Sequence, residues 1–264
     1  MLSFPVSIAA LSLLQGALVG GSARPLELPA RLRGPLWALI PPGSIVVVIL
    51  SIQGSQTVAR GLTWLALVAV PPLAAAALGW LMPGARPPLA LLAAPLLALT
   101  WSTPGSLAGE AAGALLSALS CVTLGVLLAA VAPRRWLVIG ILAMAVVDVA
   151  FVASDLLQHS NDVLDRVAPA AGLPRLQRLD FGDALMGYGD VFIAATLGAL
   201  LAGRPRRRVA TLLAIVLALG FDLLFFAVNE LPATVPIALT LLCVEPMTQR
   251  RRVATCAARS SPSA

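Results

Sequence analysis

The sequence predicts an all-α, polytopic membrane protein folded as a bundle of nine transmembrane helices. Three observations carry that expectation. The 264 residues are 59% hydrophobic and 11% charged, whereas a soluble domain is about 45–50% apolar and about 25% charged. Mean hydropathy is +0.94. The apolar residues also gather into long runs, with the arginines confined to the segments between them. Eighteen basic and twelve acidic residues are too few to cover the surface of a soluble fold of this length. The same apolar excess excludes disorder. Three scattered cysteines, Cys121, Cys243 and Cys256, exclude a disulfide scaffold and carry no metal-ligand spacing.

A bilayer core about 30 Å thick needs roughly 20 apolar residues per helix. The first run, 2–20, has no basic residue before it. The first arginine, Arg24, follows it, so it lacks the basic leader of a signal peptide and is expected to be retained. Runs 36–53 and 61–82 come next. Run 87–101 is short and opens on two prolines, which a span tolerates where neighbours re-satisfy the freed carbonyls. Run 107–132 is the longest, and 136–154 follows directly on Arg134 and Arg135. The last three are 184–203, 209–229 and 232–245, the final one again short and proline-containing. Nine spans of about 20 residues occupy roughly 180. The remainder forms loops, and there is no repeat of the solenoid kind. The expected organisation is one membrane domain, 1–264: a five-helix part over 1–132, a four-helix part over 136–245, and a basic tail over 246–264.

The arginines test this count, because cytoplasmic loops collect basic residues. With nine spans, one side holds Arg24, Arg31, Arg33, Arg86, Arg134, Arg135, Arg204, Arg206, Arg207, Arg208, Arg250, Arg251, Arg252 and Arg259. The other holds Arg60, Arg166, Arg175 and Arg178. The bias orients the N-terminus outside and the C-terminus in the cytoplasm, with a prokaryotic plasma membrane as the expected location. The basic charge is thus topogenic. It suits contact with anionic lipid of the inner leaflet, and no nucleic-acid partner is expected. Trp37, Trp64, Trp80, Trp101 and Trp136 lie toward span ends and read as interfacial anchors.

Most acids fall in connections or at span ends. Asp162, Asp165, Asp180, Asp183 and His159, the sole histidine, belong to the connection between the sixth and seventh runs and read as a solvated loop. Glu110 lies about one turn inside the fifth. Asp148, Asp190 and Asp222 lie deep. A carboxylate at mid-bilayer costs about 2.5–3.5 kcal/mol or more, so it faces a cavity or a partner and marks function. Asp148 is thirteen positions after Arg135, and Asp190 thirteen before Gly203. At 1.5 Å per residue both are roughly 20 Å from the same face of the membrane. Two acids at matched depth on adjacent antiparallel helices suit either of two roles. One is aspartyl hydrolysis, in which the pair shares a proton and activates a water. The other is a structural or proton-relay pair.

The chain around Asp190 reads Met186-Gly187-Tyr188-Gly189-Asp190-Val191-Phe192. This resembles the GxGD motif of the intramembrane aspartyl proteases, the presenilin and signal peptide peptidase family. The sixth run carries Val147-Asp148-Val149-Ala150-Phe151, similar to that family's YD segment with Val147 in place of tyrosine. The ninth opens Leu231-Pro232-Ala233-Thr234, similar to its PAL motif with Thr234 in place of leucine. The resemblance is clearest over 136–245, and the predicted orientation favours the signal peptide peptidase branch. It implies a single-chain protease that cleaves transmembrane helices, with no metal or cofactor and no obligatory partner subunit. Asp148 and Asp190 would be catalytic, and Gly187, Tyr188, Gly189, Pro232, Ala233 and Thr234 would contact substrate.

The same residues have plainer uses. The glycines beside Asp190 can open room for a substrate backbone or simply loosen the helix. Pro232 can fray the start of a helix so that an extended substrate adds to it, or can occupy the first helical position, where proline is common. Tyr188 can line a cleft or pack against a neighbour. Asp222 reads as a supporting carboxylate. Residues 187–201 also resemble the GxGD segment of type IV prepilin peptidases, although Phe192 stands where those enzymes carry lysine and the proline motif has no counterpart there. A membrane carrier, or a protease-like binder without activity, is the non-enzymatic alternative.

Overall fold

The computed structural model describes residues 3–22, 26, 29–44, 46–47, 56–154, 173–226, 228 and 231–245. Helix α1 is Phe4–Leu18. A 3-10 turn, Pro35–Leu39, and helical residues 40–44 follow. Helix α2, Gln56–Ala76, contains Pro71 and Pro72 and runs into a π-helical turn, Ala77–Leu81. Each proline withholds a backbone donor, and the ladder re-spaces just beyond them. A 3-10 stretch, Pro87–Leu92, feeds α3, Ala93–Ser102. Helix α4 is Leu107–Val131 and α5 is Arg134–Ala153. Two short strands, β1 (Arg178–Phe181) and β2 (Ala184–Gly187), precede α6, Tyr188–Leu200. Helix α7 is Arg207–Asp222, extended by a 3-10 turn, Leu223–Phe226. Helix α8 is Val235–Glu245.

Helices dominate, as the composition predicts. Among the described residues, four helices are long and apolar enough to cross a membrane: Arg60–Leu81, Leu107–Val131, Arg134–Ala153 and Arg207–Phe226. Phe4–Leu18, Pro87–Ser102, Tyr188–Leu200 and Val235–Glu245 are apolar but only 10–17 residues long. Eight of the nine predicted runs therefore meet an apolar helix. The run 36–53 begins helical, and its residues 48–53 lie outside the described part. Leu65, Val68, Val146, Leu212 and Val216 point outward from α2, α5 and α7, an apolar exterior that a soluble monomer would not carry.

The core is organised on α4, of whose most apolar 18-residue stretch 72% is buried, against 17% for the α7 segment. Ser106 caps its start by accepting from the Gly109 amide at 3.1 Å, and Glu110 in the first turn faces the positive end of the helix. Gly125 brings the backbone of α4 onto that of α6: a Cβ there would stand 2.8 Å from Ala195 C and Thr196 N. Helix α1 lies between α6 and α7 by the same means. Gly198 abuts the Leu18 carbonyl, and a Cβ on Gly16 would meet the Ile215 backbone at 3.0 Å.

One element departs from the sequence expectation. Residues 184–187, expected to begin the seventh span, form strand β2, paired antiparallel with β1 in the register Arg178↔Gly187 to Phe181↔Ala184. The apolar run continues through Ala184-Leu185-Met186 and hides the break. The local cause is the two-residue turn Gly182-Asp183, with Gly182 at φ +58, a turn chemistry that closes hairpins. Two other helices pin it. The Gly182 amide donates to Glu110 Oε2 on α4 at 2.8 Å, and the Asp183 amide to Ser7 Oγ on α1 at 3.3 Å. Asp180, expected in a solvated loop, is in β1 and pairs with Arg178 at 2.8 Å.

The opposite end of the bundle is tied by arginine. Arg134, at the start of α5, pairs with Glu245 at the end of α8 and donates to the Leu200 carbonyl at the end of α6 at 3.1 Å. Arg207, opening α7, donates to the Ser22 carbonyl just beyond α1. The arginine-rich end and the hairpin end are thus opposite ends of the same bundle.

Candidate functional site

Asp148 and Asp190 come from different helices and meet at the hairpin end. Asp148 lies in the last turns of α5 and is 5% exposed. Asp190 lies in the first turn of α6 and is half-buried. The Asp190 carboxylate lies within electrostatic range of Asp148. The placement sharpens the depth argument. Because α6 starts at Tyr188, Asp190 is not mid-helix but at a helix start beneath the hairpin. Met144, one turn before Asp148 on α5, is 1% exposed and lies against Gly189, where a Cβ would stand 3.3 Å from its Cε. Residues four apart share a helix face, so the α5 face carrying Met144 and Asp148 is the one turned to the start of α6.

Gly187 has φ −65 and ψ 143, open to any residue. Its lack of a side chain serves a different end. A Cβ there would stand 2.9 Å from Asp190 Oδ2 and 3.6 Å from Cγ. The glycine gives the Asp190 carboxylate room to fold back toward the Gly187 amide. The room beside the acid is filled by the acid itself.

The segment 232–234 reaches the other acid. Thr234 is fully buried. Its hydroxyl donates to Asp148 Oδ2 at 2.6 Å and its amide approaches the same oxygen at 3.4 Å. The Ala233 carbonyl accepts from Gln15 Nε2 at 2.9 Å, and the Pro232 carbonyl accepts from the Val235 amide at 3.1 Å. The Pro232 and Ala233 carbonyls, which a frayed helix start would offer to an extended substrate, are therefore engaged within the chain.

Tyr188 points away from the acids. Its hydroxyl lies 2.6 Å from Ser120 Oγ on α4. Ser120 spends its own hydrogen on the Ser117 carbonyl at 2.7 Å, so Tyr188 is the donor of that pair. Asp222 does not join the two acids. It accepts from Ser12 on α1 at 3.0 Å.

Sequence reasoning missed Gln15 and Ser12. Gln15 is 1% exposed and donates to two carbonyls, those of Asp190 at 3.2 Å and Ala233. The signal was present: Gln15 is the sole amide side chain in the first apolar run, and a polar group within a membrane helix needs a partner. Asp155, His159, Asp162, Asp165, Arg166, Arg24, Glu27, Glu230 and the basic tail 246–264 lie outside the described residues. Among the described residues no three His, Cys, Asp or Glu side chains converge as metal ligands.

Comparison with protein-family models, with curated proteins and with solved structures gives no match.

Proposed function

We propose that this chain is an intramembrane aspartyl protease that hydrolyses peptide bonds within transmembrane helices, with Asp148 and Asp190 as its catalytic pair. The observation that carries the reading is the convergence of two carboxylates from separate helices, one of them in the Gly-Tyr-Gly-Asp junction between strand β2 and helix α6. Acids buried in an apolar bundle are costly, and a shared proton is the chemistry that accommodates such a pair.

The donors suggest a division of labour. Two Thr234 donors converge on Asp148 Oδ2. That oxygen is thereby a poor site for the shared proton, which is left to Asp148 Oδ1 or to Asp190. The ionised carboxyl takes a proton from water, and the protonated one donates to the scissile carbonyl oxygen. The water adds to the carbonyl carbon, giving a tetrahedral intermediate. The carboxyl that took the water's proton then gives it to the departing amine, a hydroxyl of the intermediate returns its proton to the other carboxylate, and the C–N bond breaks as the carbonyl re-forms. No metal or covalent intermediate enters this scheme.

The same proposal includes a multi-pass topology of nine spans, with the N-terminus outside and the arginine-rich end in the cytoplasm. It is supported by the fourteen-to-four division of arginines. The substrates are proteins with a transmembrane helix, met within the lipid bilayer, and no partner subunit is required.

The deciding experiment mixes the purified protein with a panel of transmembrane-helix substrates and maps the products by mass spectrometry. Cleavage inside the span, lost in both Asp148→Asn and Asp190→Asn, is the expected result. Cleavage only at a cytoplasmic leader junction would point to prepilin-type processing. A panel left whole would overturn the protease reading in favour of a carrier or a binder.

A further inference from the structure

Helix α1 is apolar in sequence, yet Ser7, Ser12, Gln15 and Gly16 are all buried. The first three each reach a different neighbour: the hairpin turn, Asp222, and the two carbonyls of Asp190 and Ala233. Gln15 makes the most consequential of these contacts. Both acceptors are carbonyls, so its NH2 group faces them, and an NH2 carries one hydrogen for each. One acceptor belongs to Asp190 itself. The other belongs to Ala233, next to Thr234, which holds Asp148. The Ala233 carbonyl also lies ahead of the α8 ladder, whose first bond runs from the Ala238 amide to the Thr234 carbonyl. A single side chain thus joins the backbone of one acid to the backbone that grips the other. The close approaches at Gly16 and Gly198 fix the rotation of α1, so this amide is held in place and not free to sample other partners.

We propose that Gln15 is a positioning residue that sets the spacing between Asp148 and Asp190 by bridging the Asp190 and Ala233 carbonyls. This rests on the reading of the two acids as a working pair. A buried amide in a membrane helix could serve only to bind helices together, in which case its removal would destabilise the bundle without altering the pair. Positioning predicts the reverse pattern: the fold persists and the spacing is lost.

The test needs one readout that does not depend on protease activity. In the full chain, with Cys121, Cys243 and Cys256 replaced by serine, Asp148→Cys and Asp190→Cys together are cross-linked in membranes with a short bis-maleimide. Adding Gln15→Met, which keeps the bulk and removes both donors, is expected to bring cross-linking close to background. Gln15→Asn, with the amide on a shorter arm, falls between, and Ser12→Ala leaves the yield unchanged. In the chain with both aspartates intact, Gln15→Met is expected to lower kcat about thirtyfold with KM unchanged, the scale of a small misplacement of reacting groups. Should Gln15→Met fail to accumulate, Gln15→Asn carries both readouts. Unchanged cross-linking in a folded Gln15 variant would overturn the positioning role. Loss of cross-linking on Gln15→Met, combined with no cleavage by the chain that keeps both aspartates and Gln15, would instead retain it and sink the protease reading.

Discussion

Thr234 Oγ1 lies 2.6 Å from Asp148 Oδ2, and the Thr234 amide approaches the same oxygen. The position where the resembling family carries leucine thus holds a hydroxyl that engages one acid of the pair. Hydrogen bonds to a charged group contribute about 1.5–3 kcal/mol. Thr234→Val keeps the shape and removes the hydroxyl, and is expected to lower kcat by about 10- to 100-fold. Thr234→Ser is expected to stay near the wild-type rate. Steady-state cleavage of a helix substrate by the two variants checks this, and equal rates would remove Thr234 from the mechanism.

Gly187 makes a second, separable prediction. The atom that an added Cβ would crowd is the end of a flexible side chain, Asp190 Oδ2, and the backbone angles suit any residue. Gly187→Ala is therefore expected to fold with a stability within about 1 kcal/mol of the wild type, while rotating the carboxylate away and depressing kcat. Thermal unfolding in detergent and kcat measured together distinguish this from a glycine needed for the fold.

Glu110 is expected to govern the hairpin. Its carboxylate accepts from the half-buried Gly182 amide, and losing such a hydrogen bond costs about 1 kcal/mol. Glu110→Ala should accelerate hydrogen exchange at residues 178–187 and leave the α4 ladder protected. Uniform loss of protection across both elements would show that Glu110 supports α4 instead.

Tyr188 and Asp222 are expected to matter for stability more than for turnover. Tyr188→Phe removes one neutral hydrogen bond, to Ser120, a loss of about 1 kcal/mol visible as a lower Tm with cleavage retained. Asp222→Asn still accepts from Ser12 and should keep cleaving where Asp148→Asn and Asp190→Asn do not. If Asp222→Asn were as inactive as those two, the assignment of the pair would have to be redrawn.

Much of this was legible in the sequence, and for identifiable reasons. Apolar runs mark helices because length and composition decide them, and Asp148 and Asp190 stand out because an acid within an apolar run has few explanations. The hairpin was not legible. Ala184-Leu185-Met186 is as apolar as the helix it adjoins, and only the Gly182-Asp183 turn separates strand from helix. The role of Gly187 was legible in kind but not in detail, since only the folded backbone shows that Asp190 occupies the freed space. Gln15 and Ser12 sit more than 130 residues before the acids they support, and nothing local announces such a partnership. Thr234 looked like a departure from a motif, and its hydroxyl acquires meaning only beside Asp148.

The shortness of α6 has a consequence for the supply of the nucleophile. Thirteen residues rise about 20 Å, some 10 Å less than the hydrocarbon core of a typical bilayer. In a membrane, the helix that begins with Asp190 cannot reach both surfaces. Beyond its start lies the hairpin, whose turn amides donate to Glu110 and Ser7. On the proposed mechanism, hydrolysis consumes one water for every bond cut, and a helix this short lessens the apolar distance that water must cross to reach Asp190.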